Sequence, residues 1–330
     1  MLEALKYITV SETDPYQNLA LEEHLLRTVP PNTVILYLWQ NQNTVVIGRN
    51  QNAWRECNIS RLEQDGAFLA RRLSGGGAVF HDLGNLNFTF ITQKSYFDLN
   101  KQLQVILLAL KQWDLIAEIS GRNDIHIEGK KFSGNAFYLS QTGCYHHGTI
   151  LVNVDFSKLN QYLQVSAEKL AAKGVASVQS RVINLVSLNP ALNTQNIQPA
   201  LLQAFGEVYG FTPQPIELSA ADKADVLRLR EKYASWDWNF GQQFPFSTEW
   251  AKRFSWGEIQ IRVQVDNGQI TEAHVYTDAM AIDFADQLAD LLTGCRFQKD
   301  ALRMACGAVP LESNFTEEMR NEIQNLIETL

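Results

Sequence analysis

Apolar residues recur along this chain with two different periods, and together they predict a mixed fold. A helical spacing of i, i+3, i+4, i+7 and i+10 occurs once very clearly, at Leu103, Ile106, Leu107, Leu110 and Trp113. Such a spacing is typical of a helix that packs one apolar face against a sheet. The β-branched and aromatic runs 34–39 and 44–47 are typical of strands, and the polar residues between them predict that the two strands pair. The expected fold class is therefore α/β (α+β).

Capping and turn residues mark the ends of further elements. Asp14 followed by Pro15 is a favourable cap and first-turn pair, which predicts a helix over about residues 15–27. Glu128 and Gly129 lie between two short extended runs, and they predict a tight reversal of the chain between 125–127 and 130–132.

The last third of the chain has its own pattern. Ile259, Ile261, Val263 and Val265 alternate with polar residues, and a hairpin turn is predicted directly after them at 267–268. Helical patterns follow at about 283–293 and 316–329. These elements predict a small α+β unit with a boundary near 245, so the expected domains are 1–244 and 245–330. Two domains also agree with a length of 330 residues.

Composition excludes several classes of protein. The formal charge of −8 argues against a protein whose task is to bind nucleic acid or an anionic membrane surface, so any positive charge for phosphate must be local. The longest apolar runs, 34–39 and 105–110, are far shorter than the about 20 residues of a membrane-spanning helix. Four cysteines without a C-x-x-C pair indicate neither a zinc site nor a disulfide scaffold. The expected compartment is the cytoplasm, since the first residues lack the features of a secretory signal.

Three consecutive glycines, Gly75 to Gly77, follow Arg71, Arg72 and Ser74 in an otherwise apolar context. Such a run costs conformational entropy unless the backbone must come close to something, and backbone N–H groups of such a loop can hold an anion. Arg71 or Arg72 could add a bidentate charged contact to that anion. The alternative is a structural bend. The P-loop and Rossmann patterns are both missing here.

A second candidate segment contains two adjacent lysines. In an extended strand Lys130 and Lys131 point to opposite faces, so one of them at most faces a site. The small residues 133–136 would let a ligand approach the backbone beside that lysine. Asp124 has two interpretations, as a ligand of a divalent cation or as a local hydrogen-bond acceptor.

Two further segments carry polar groups. His146 and His147 face opposite ways on a strand, which disfavours a shared metal and favours a buried structural pair over catalytic use. The glycine-led segment 173–182 is either a mobile flap or an ordinary loop.

Together these segments resemble the bacterial lipoate–protein ligases of the single-chain type with an accessory carboxy-terminal domain. The resemblance covers essentially the whole chain, and its ordered set of motifs is specific. The matching pieces are 71–82 with Gly84 and Asn85, 121–125, 131–134, 146–149, and 173–174 through 180–182. The aromatic run 236–241 and the residues around Asp14 and Asn18 are weaker matches.

The resemblance implies a biotin-ligase and class II synthetase-like catalytic domain followed by a small α+β accessory domain. It implies an AMP-forming ligase that converts lipoate and MgATP into lipoyl-AMP and pyrophosphate, and then passes the lipoyl group to one lysine of an apo lipoyl domain. The implied acceptors are 2-oxoacid dehydrogenase acyltransferase subunits and the glycine cleavage H protein, with no nucleic acid or membrane partner.

The resemblance also assigns roles to residues. Lys131 is the catalytic positive centre between the two substrate anions, and Asp124 is the candidate Mg²⁺ ligand. Lipoate is assigned to Arg72, Lys131 and His147. ATP and lipoyl-AMP are assigned to Arg72, Ser74, Gly75, Gly76, Gly77, Ala78, Val79, Phe80, Lys131, Lys173, Gly174, Val175 and Arg181.

Two other functions remain open from sequence. An octanoyltransferase of the same fold would take its acyl group from a carrier-protein thioester without ATP, and Cys144 is the candidate nucleophile that raises this possibility. A lipoyl-domain binder that has lost the chemistry is the second alternative. The intact Arg72, glycine run, Asp124 and Lys131 argue against a mere binder, because it would not need the phosphate-facing set.

Overall fold

The computed structural model describes residues 1–120, 124–140, 143–164, 182–241 and 246–328. The chain divides into two compact units, and each is built from separate segments. Unit 1 comprises Met1–Val46, Cys57–Arg71 and Val79–Asn239. Unit 2 comprises Ile47–Glu56, Arg72–Ala78 and Phe240–Leu330. No helix of the described residues is long and apolar enough to cross a membrane.

Strands and helices alternate through much of the chain. The strands are β1 (Ala4–Thr9), β2 (Thr33–Trp39), β3 (Thr44–Ile47), β4 (Phe68–Arg71), β5 (Val79–His81), β6 (Asn85–Thr92), β7 (Glu118–Ser120), β8 (Asp124–Ile127), β9 (Lys130–Leu139), β10 (Cys144–Leu151), β11 (Gln214–Pro215), β12 (Thr248–Phe254), β13 (Gly257–Asp266) and β14 (Gln269–Thr277). The helices are α1 (Pro15–Thr28), α2 (Ala53–Glu56), α3 (Ile59–Gln64), α4 (Leu99–Leu110), α5 (Phe156–Tyr162), α6 (Ile197–Tyr209), α7 (Ala220–Ala234), α8 (Trp236–Phe240), α9 (Asp283–Leu292), α10 (Lys299–Gly307) and α11 (Glu317–Ile327).

An eight-stranded sheet forms the centre of unit 1, in the order β11-β1-β2-β6-β10-β9-β8-β7. β1 is parallel to β2 and β11, whereas β2, β6, β10, β9, β8 and β7 are successively antiparallel. A second sheet has the order β4-β3-β5. The mixed α/β class predicted from the sequence is confirmed.

The prediction that β2 and β3 pair is wrong. Both edges of β2 are already occupied, by β1 and β6, and β3 lies between β4 and β5 in the other sheet. The connection between β2 and β3 does not make a hairpin turn, because its polar residues bind elsewhere. Buried Asn41 accepts a hydrogen bond from Asn18 Nδ2 at 3.0 Å, and Gln42 N donates to Thr13 O.

The helix predicted over 15–27 is confirmed as α1. The Asp14 carboxylate accepts a hydrogen bond from Tyr16 N at 2.8 Å, and Pro15 occupies the first turn, where its missing N–H costs nothing. The predicted apolar helix is confirmed as α4, with Trp113 in the 3₁₀ turn that follows it. Asp98 caps its start by accepting from Lys101 N.

One face of the large sheet is packed by α4 and α6 and is apolar. Phe88 and Phe90 of β6 are fully buried there, and the Phe90 ring lies 5.8 Å from Phe205 of α6. His146 of β10 is the polar exception on this face. Its ring nitrogens lie 3.1 Å from Gln102 Oε1 and 2.8 Å from Asn135 Oδ1. The prediction that His146 and His147 face opposite ways is confirmed, and His146 is a hydrogen-bonded core residue.

His146 makes the stability of unit 1 depend on pH. Burial, with a smaller effect from His147, lowers the pKa of its imidazole from 6.5 to about 3. The neutral imidazole therefore stabilises the fold fully above pH 6.5, and this contribution is lost as the pH falls from 6.5 toward 3. Between pH 7 and pH 5 we expect the wild type to lose about 2 kcal/mol more unfolding free energy than His146→Gln. Urea unfolding at both pH values measures this difference, and an equal loss in both proteins would contradict a neutral His146.

Unit 2 has its own core, built on the sheet β12-β13-β14 and the helices α9, α10 and α11. The alternation at 259–265 is confirmed, since Ile259, Ile261 and Val263 are fully buried. Asn267 and Gly268 both have positive φ, 49° and 74°, as a two-residue hairpin turn requires. The sequence pattern missed α10. The expected domain boundary at 244/245 lies outside the described residues.

Candidate active site

The position of Lys131 is set by a hairpin and a β-bulge. The predicted reversal at 128–129 is confirmed, and both of its residues have positive φ, 51° and 73°. After the turn, the register between β8 and β9 shifts, so that His126 pairs with Lys131 but Ile125 pairs with Ser133. The extra residue, Phe132, is buried in the core. A bulge re-aims side chains, and here it places Lys131 on the same face as Gly134 instead of the face of Ser133.

The Lys131 ammonium is held by one carboxylate and lies in the space above Gly134, which has no side chain. Its Nζ lies 2.7 Å from Asp124 Oδ1, and Asp124 is paired with Gly134 across the strands. A methyl group on Gly134 would lie 2.6 Å from that Nζ, so the glycine provides the space in which the lysine lies. Lys130, by contrast, is exposed.

Polar groups of α1 continue this face of the sheet. Glu22 is 2% exposed, and its Oε1 accepts from Thr89 Oγ1 at 2.7 Å and lies 2.9 Å from His147 Nδ1. The Tyr145 ring is 4.7 Å from the His147 ring. The strand registers align His147 with Thr89 on one side and Ala136 on the other. His147 therefore shares a sheet face with Lys131, with Glu22 fixing its orientation.

Arg72 opens the glycine loop, residues 72–78, which belongs to unit 2. Its guanidinium is folded back onto the loop. Nε donates to Ser74 Oγ at 3.0 Å, and Nη2 donates to Gly75 O at 2.7 Å and Gly77 O at 2.8 Å. In this arrangement the loop carbonyls take up the charge of Arg72.

The three glycines of the loop have different surroundings. A side chain on Gly75 would collide with the backbone carbonyls of Ala279 and Met280. Gly76 has φ 89°, and its N–H donates to Ala279 O at 3.2 Å. Gly77 has no atom within 4 Å of the place a side chain would take. The loop is therefore packed against residues 279–280 at its first two glycines and open at the third.

The remaining residues assigned to ATP and lipoyl-AMP occupy several places. Val79 and Phe80 lie in β5, directly after the loop, and the Phe80 ring packs 5.5 Å from Tyr162. Lys173, Gly174, Val175 and Arg181 lie outside the described residues. Among the described residues, no group of three His, Cys, Asp or Glu side chains could hold a metal ion.

The structure adds detail on two residues, one that the sequence left as an alternative and one that it did not single out. Arg71 was an alternative to Arg72 as an anion contact, but its buried guanidinium donates to the carbonyls of Trp238 and Asn239 at 2.9 and 2.7 Å. The residues singled out from the sequence do not include Glu22. The i, i+4 spacing of Asn18 and Glu22 on an otherwise apolar helix face is the signal that could have indicated its buried position.

The fold and site define a class of protein, namely a mixed α/β domain with a lysine set in a β-bulge, together with an α+β domain built mainly from the carboxy-terminal residues. Comparison with family models makes the class specific. Residues 14–206 match the lipoyl protein ligase A/B catalytic domain, and residues 243–327 match the bacterial lipoate protein ligase C-terminus. The chain belongs to the lipoate–protein ligase family.

Solved structures of other lipoate–protein ligases are similar to this chain. The chain is similar to LipL1 of P. falciparum, whose crystal structure contains lipoate, with 28% identity, TM-score 0.86, and coverage of 99% of this chain and 100% of that one. A bipartite lipoate protein ligase of Thermoplasma acidophilum, studied with its E2 lipoyl domain, is 26% identical over 75% of this chain and 100% of that one, with TM-score 0.65. A lipoate-protein ligase A bound with ATP has the same fold, with 24% identity, coverage of 74% and 100%, and TM-score 0.64.

Proposed function

We propose that this protein is an ATP-dependent ligase that activates free lipoate to lipoyl-AMP with release of pyrophosphate, and then transfers the lipoyl group to a specific lysine of an apo lipoyl domain. The observation that carries the proposal is the Lys131 ammonium, fixed 2.7 Å from Asp124 over the space left by Gly134. A free carboxylate is a poor acyl donor, whereas an acyl-adenylate has AMP as a good leaving group.

Activation needs a fixed positive charge between two anions. The lipoate carboxylate and the α-phosphate of ATP repel each other, and a preorganised cation stabilises both as the new bond forms. Lys131 supplies that cation. Asp124 holds the ammonium in place before substrates arrive, so little reorganisation is needed during the reaction.

The nucleotide-binding assignments are part of the same proposal. Arg72 and the loop residues Ser74 to Ala78, with Val79 and Phe80, contact ATP and the adenylate after Arg72 exchanges the carbonyls of Gly75 and Gly77 for substrate oxygens. His147, oriented by Glu22, contacts lipoate. We also assign Lys173, Gly174, Val175 and Arg181, which lie outside the described residues, to the binding of ATP and lipoyl-AMP.

The Asp124 carboxylate could serve as a ligand of Mg²⁺ that is bound together with a nucleotide. Mg²⁺ is commonly held by one or two carboxylates together with substrate phosphates, so a cage made only of protein groups is not required. Asp124 would be the protein ligand, through a carboxylate that also lies 2.7 Å from Lys131 Nζ. When bound, Mg²⁺ neutralises phosphate charge.

The domain assignment and the partners complete the proposal. Residues 1–244 form the catalytic domain and 245–330 the accessory domain. The acceptors are lipoyl domains of 2-oxoacid dehydrogenase complexes and the glycine cleavage H protein, and the Thermoplasma relative studied with an E2 lipoyl domain supports this class of acceptor. Among the described residues, the cysteines at 57, 144, 295 and 306 form no disulfide, which agrees with the proposed cytoplasmic location.

The octanoyltransferase is the second candidate, because the matched catalytic family covers both A and B proteins. It would require a reactive thiol, and Cys144 is poorly suited. Burial raises the pKa of its thiol to about 12, and its Sγ donates to Thr92 O. Strand alternation also puts Cys144 on the face opposite His147 and Lys131. A non-catalytic binder would have no use for the Lys131–Asp124 pair.

Intact-mass analysis tests the proposed function. An apo lipoyl domain is incubated with the protein and free lipoate, with and without MgATP. We expect a lipoyl mass gain only with MgATP, and the Cys144→Ser variant is expected to retain it within about twofold, since the thiol is buried and unreactive. No gain with MgATP, together with acyl transfer from octanoyl carrier protein that Cys144→Ser abolishes, would favour the transferase instead.

A further inference from the structure

Arg71, the last residue of β4, is a cation that binds backbone carbonyls of residues distant in the sequence. The residue is only 3% exposed. Nε donates to Trp238 O at 2.9 Å and Nη2 donates to Asn239 O at 2.7 Å. In return Trp238 Nε1 donates to Arg71 O at 2.8 Å. These three bonds form a reciprocal clamp, which we call the Arg71 clamp, between residues 167 positions apart in the sequence.

The Arg71 clamp ties together two points at which the chain leaves unit 1. The first exit is after Arg71, where the chain continues into the glycine loop 72–78. The second exit is after Asn239, where it continues into residues 240–330. A guanidinium presents its donors in a rigid planar arrangement, or fork, so the clamp holds Arg71, the residue from which the backbone continues into the loop at Arg72.

The partner side of the clamp is itself well fixed in unit 1. Asn239 Nδ2 donates to Tyr233 O at 2.8 Å and to Ser235 O at 3.1 Å, which closes the turn between α7 and α8. The Lys232 ammonium lies 4.3 Å from the centroid of the Trp238 ring, in cation–π geometry. Arg71 is therefore bound to a segment that cannot easily adjust to a displaced guanidinium.

We propose that Arg71 is a positioning residue for the glycine loop, and that through the Arg71 clamp the segment 236–239 sets the binding geometry of Arg72. The kinetic part of this inference rests on the proposed ligase function. Breaking the Arg71 clamp costs free energy because its groups are buried, so the donors and carbonyls lose their hydrogen bonds without gaining bonds to water. Loss of the fork should consequently displace the loop entrance while the Lys131–Asp124 pair on β8 and β9 stays intact.

The kinetic test uses Arg71→Lys and Trp238→Phe. Lysine keeps the charge but lacks the fork, and phenylalanine keeps the ring but lacks the Nε1 donor. We expect Arg71→Lys to raise KM for lipoate and ATP in pyrophosphate release by about fivefold to tenfold, with kcat changed less than about twofold. Trp238→Phe should have a smaller effect on the same KM values, and the double variant should be no worse than Arg71→Lys alone.

A second readout does not depend on the reaction. In the protein without substrates, amide hydrogen exchange in 72–78 should be faster in Arg71→Lys than in wild type, and exchange in 124–139 should be unchanged. Arg61→Lys is the matched control, because Arg61 is a more exposed arginine of unit 1 paired with Asp65 at 2.8 Å. It should change neither the exchange nor KM.

The outcomes separate the inference from the proposed function. If Arg71 has a purely structural role, Arg71→Lys should lower the melting temperature and the active fraction. KM and amide hydrogen exchange in 72–78 would then remain those of wild type, and this result would overturn the inference. If wild type makes no lipoyl-AMP, the proposed function fails, and loop exchange alone decides the role of Arg71. If Arg71→Lys does not fold, Trp238→Phe decides, and unaltered KM and loop exchange in that variant would overturn the proposal.

Discussion

Lys131→Ala is expected to reduce lipoyl-AMP formation by about 10²–10³-fold, the usual effect of removing one preorganised charged donor from an adenylate or oxyanion site. The fold should survive, since Lys131 is only partly buried and Asp124 can be solvated once the ammonium is gone. Pyrophosphate release measures the first half-reaction. Melting temperature and circular dichroism report whether the fold is retained.

Lys130→Ala provides the matched control, because it removes the same side chain one position earlier from an exposed site. It should change pyrophosphate release by no more than about twofold. Gly134→Ala adds a further arm, since its methyl group would occupy space 2.6 Å from the Lys131 Nζ and displace the ammonium without removing it. Near-normal activity of Lys131→Ala would show that the central cation is a different residue.

Gly76→Val is expected to weaken binding of lipoate and ATP by between about tenfold and a hundredfold. A strained backbone conformation costs roughly 1–3 kcal/mol, and each loss of about 1.4 kcal/mol in binding free energy raises Kd about tenfold. Gly76 has φ 89°, which a β-branched residue rarely adopts. The new Cβ would also lie 3.1 Å from Arg72 Nη2 and 3.3 Å from Met280 Sδ. Separate calorimetric titrations with lipoate and with ATP measure the change.

Gly66→Val is the control for backbone strain. Gly66 has φ 60°, and no atom lies within 4 Å of its added side chain, so valine there strains the backbone comparably but in unit 1, outside the loop. It should lower thermal stability but leave both affinities unchanged. Equal loss of affinity in the two variants would mean that general destabilisation, and not the glycine loop, governs binding.

Elements defined by local chemistry could be predicted from the sequence. Asp14 and Pro15 act within one helical turn, and the pair 128–129 needs only its own positive φ values to reverse the chain. The pattern at 259–265 likewise follows from the alternation of strand side chains. These features need no information about distant partners, because the bonds that create them join residues close in sequence.

Partners chosen over long distances could not be predicted. β3 looked like the neighbour of β2, but the two edges of β2 were taken by β1 and β6. Arg71 and Arg72 are adjacent arginines, yet one binds carbonyls near residue 238 and the other binds its own loop. The two residues have the same side chain and the same charge, so the sequence does not reveal that Arg71 binds carbonyls of α8 and Arg72 binds carbonyls of its own loop.

The sequence proposes residues for the candidate site but does not predict their geometry. The sequence favoured Lys131 over Lys130 through a family motif, whereas the structure supplies a physical reason for the position of the side chain. An extra residue at Phe132 changes which side chains share a face, and an alternating pattern cannot reveal such a bulge. Buried Glu22 was missed for a related reason, because its acceptor role depends on strands that follow it in the chain.

The pairing of Gly76 with Ala279 has a consequence for synthesis of the protein. About 200 residues separate the two, and at about 5–20 residues per second a ribosome needs roughly 10 to 40 s to make them. Throughout that interval the nascent glycine loop lacks the backbone against which it packs. Translation products that end before residue 279 would consequently carry the loop sequence without the backbone that supports it.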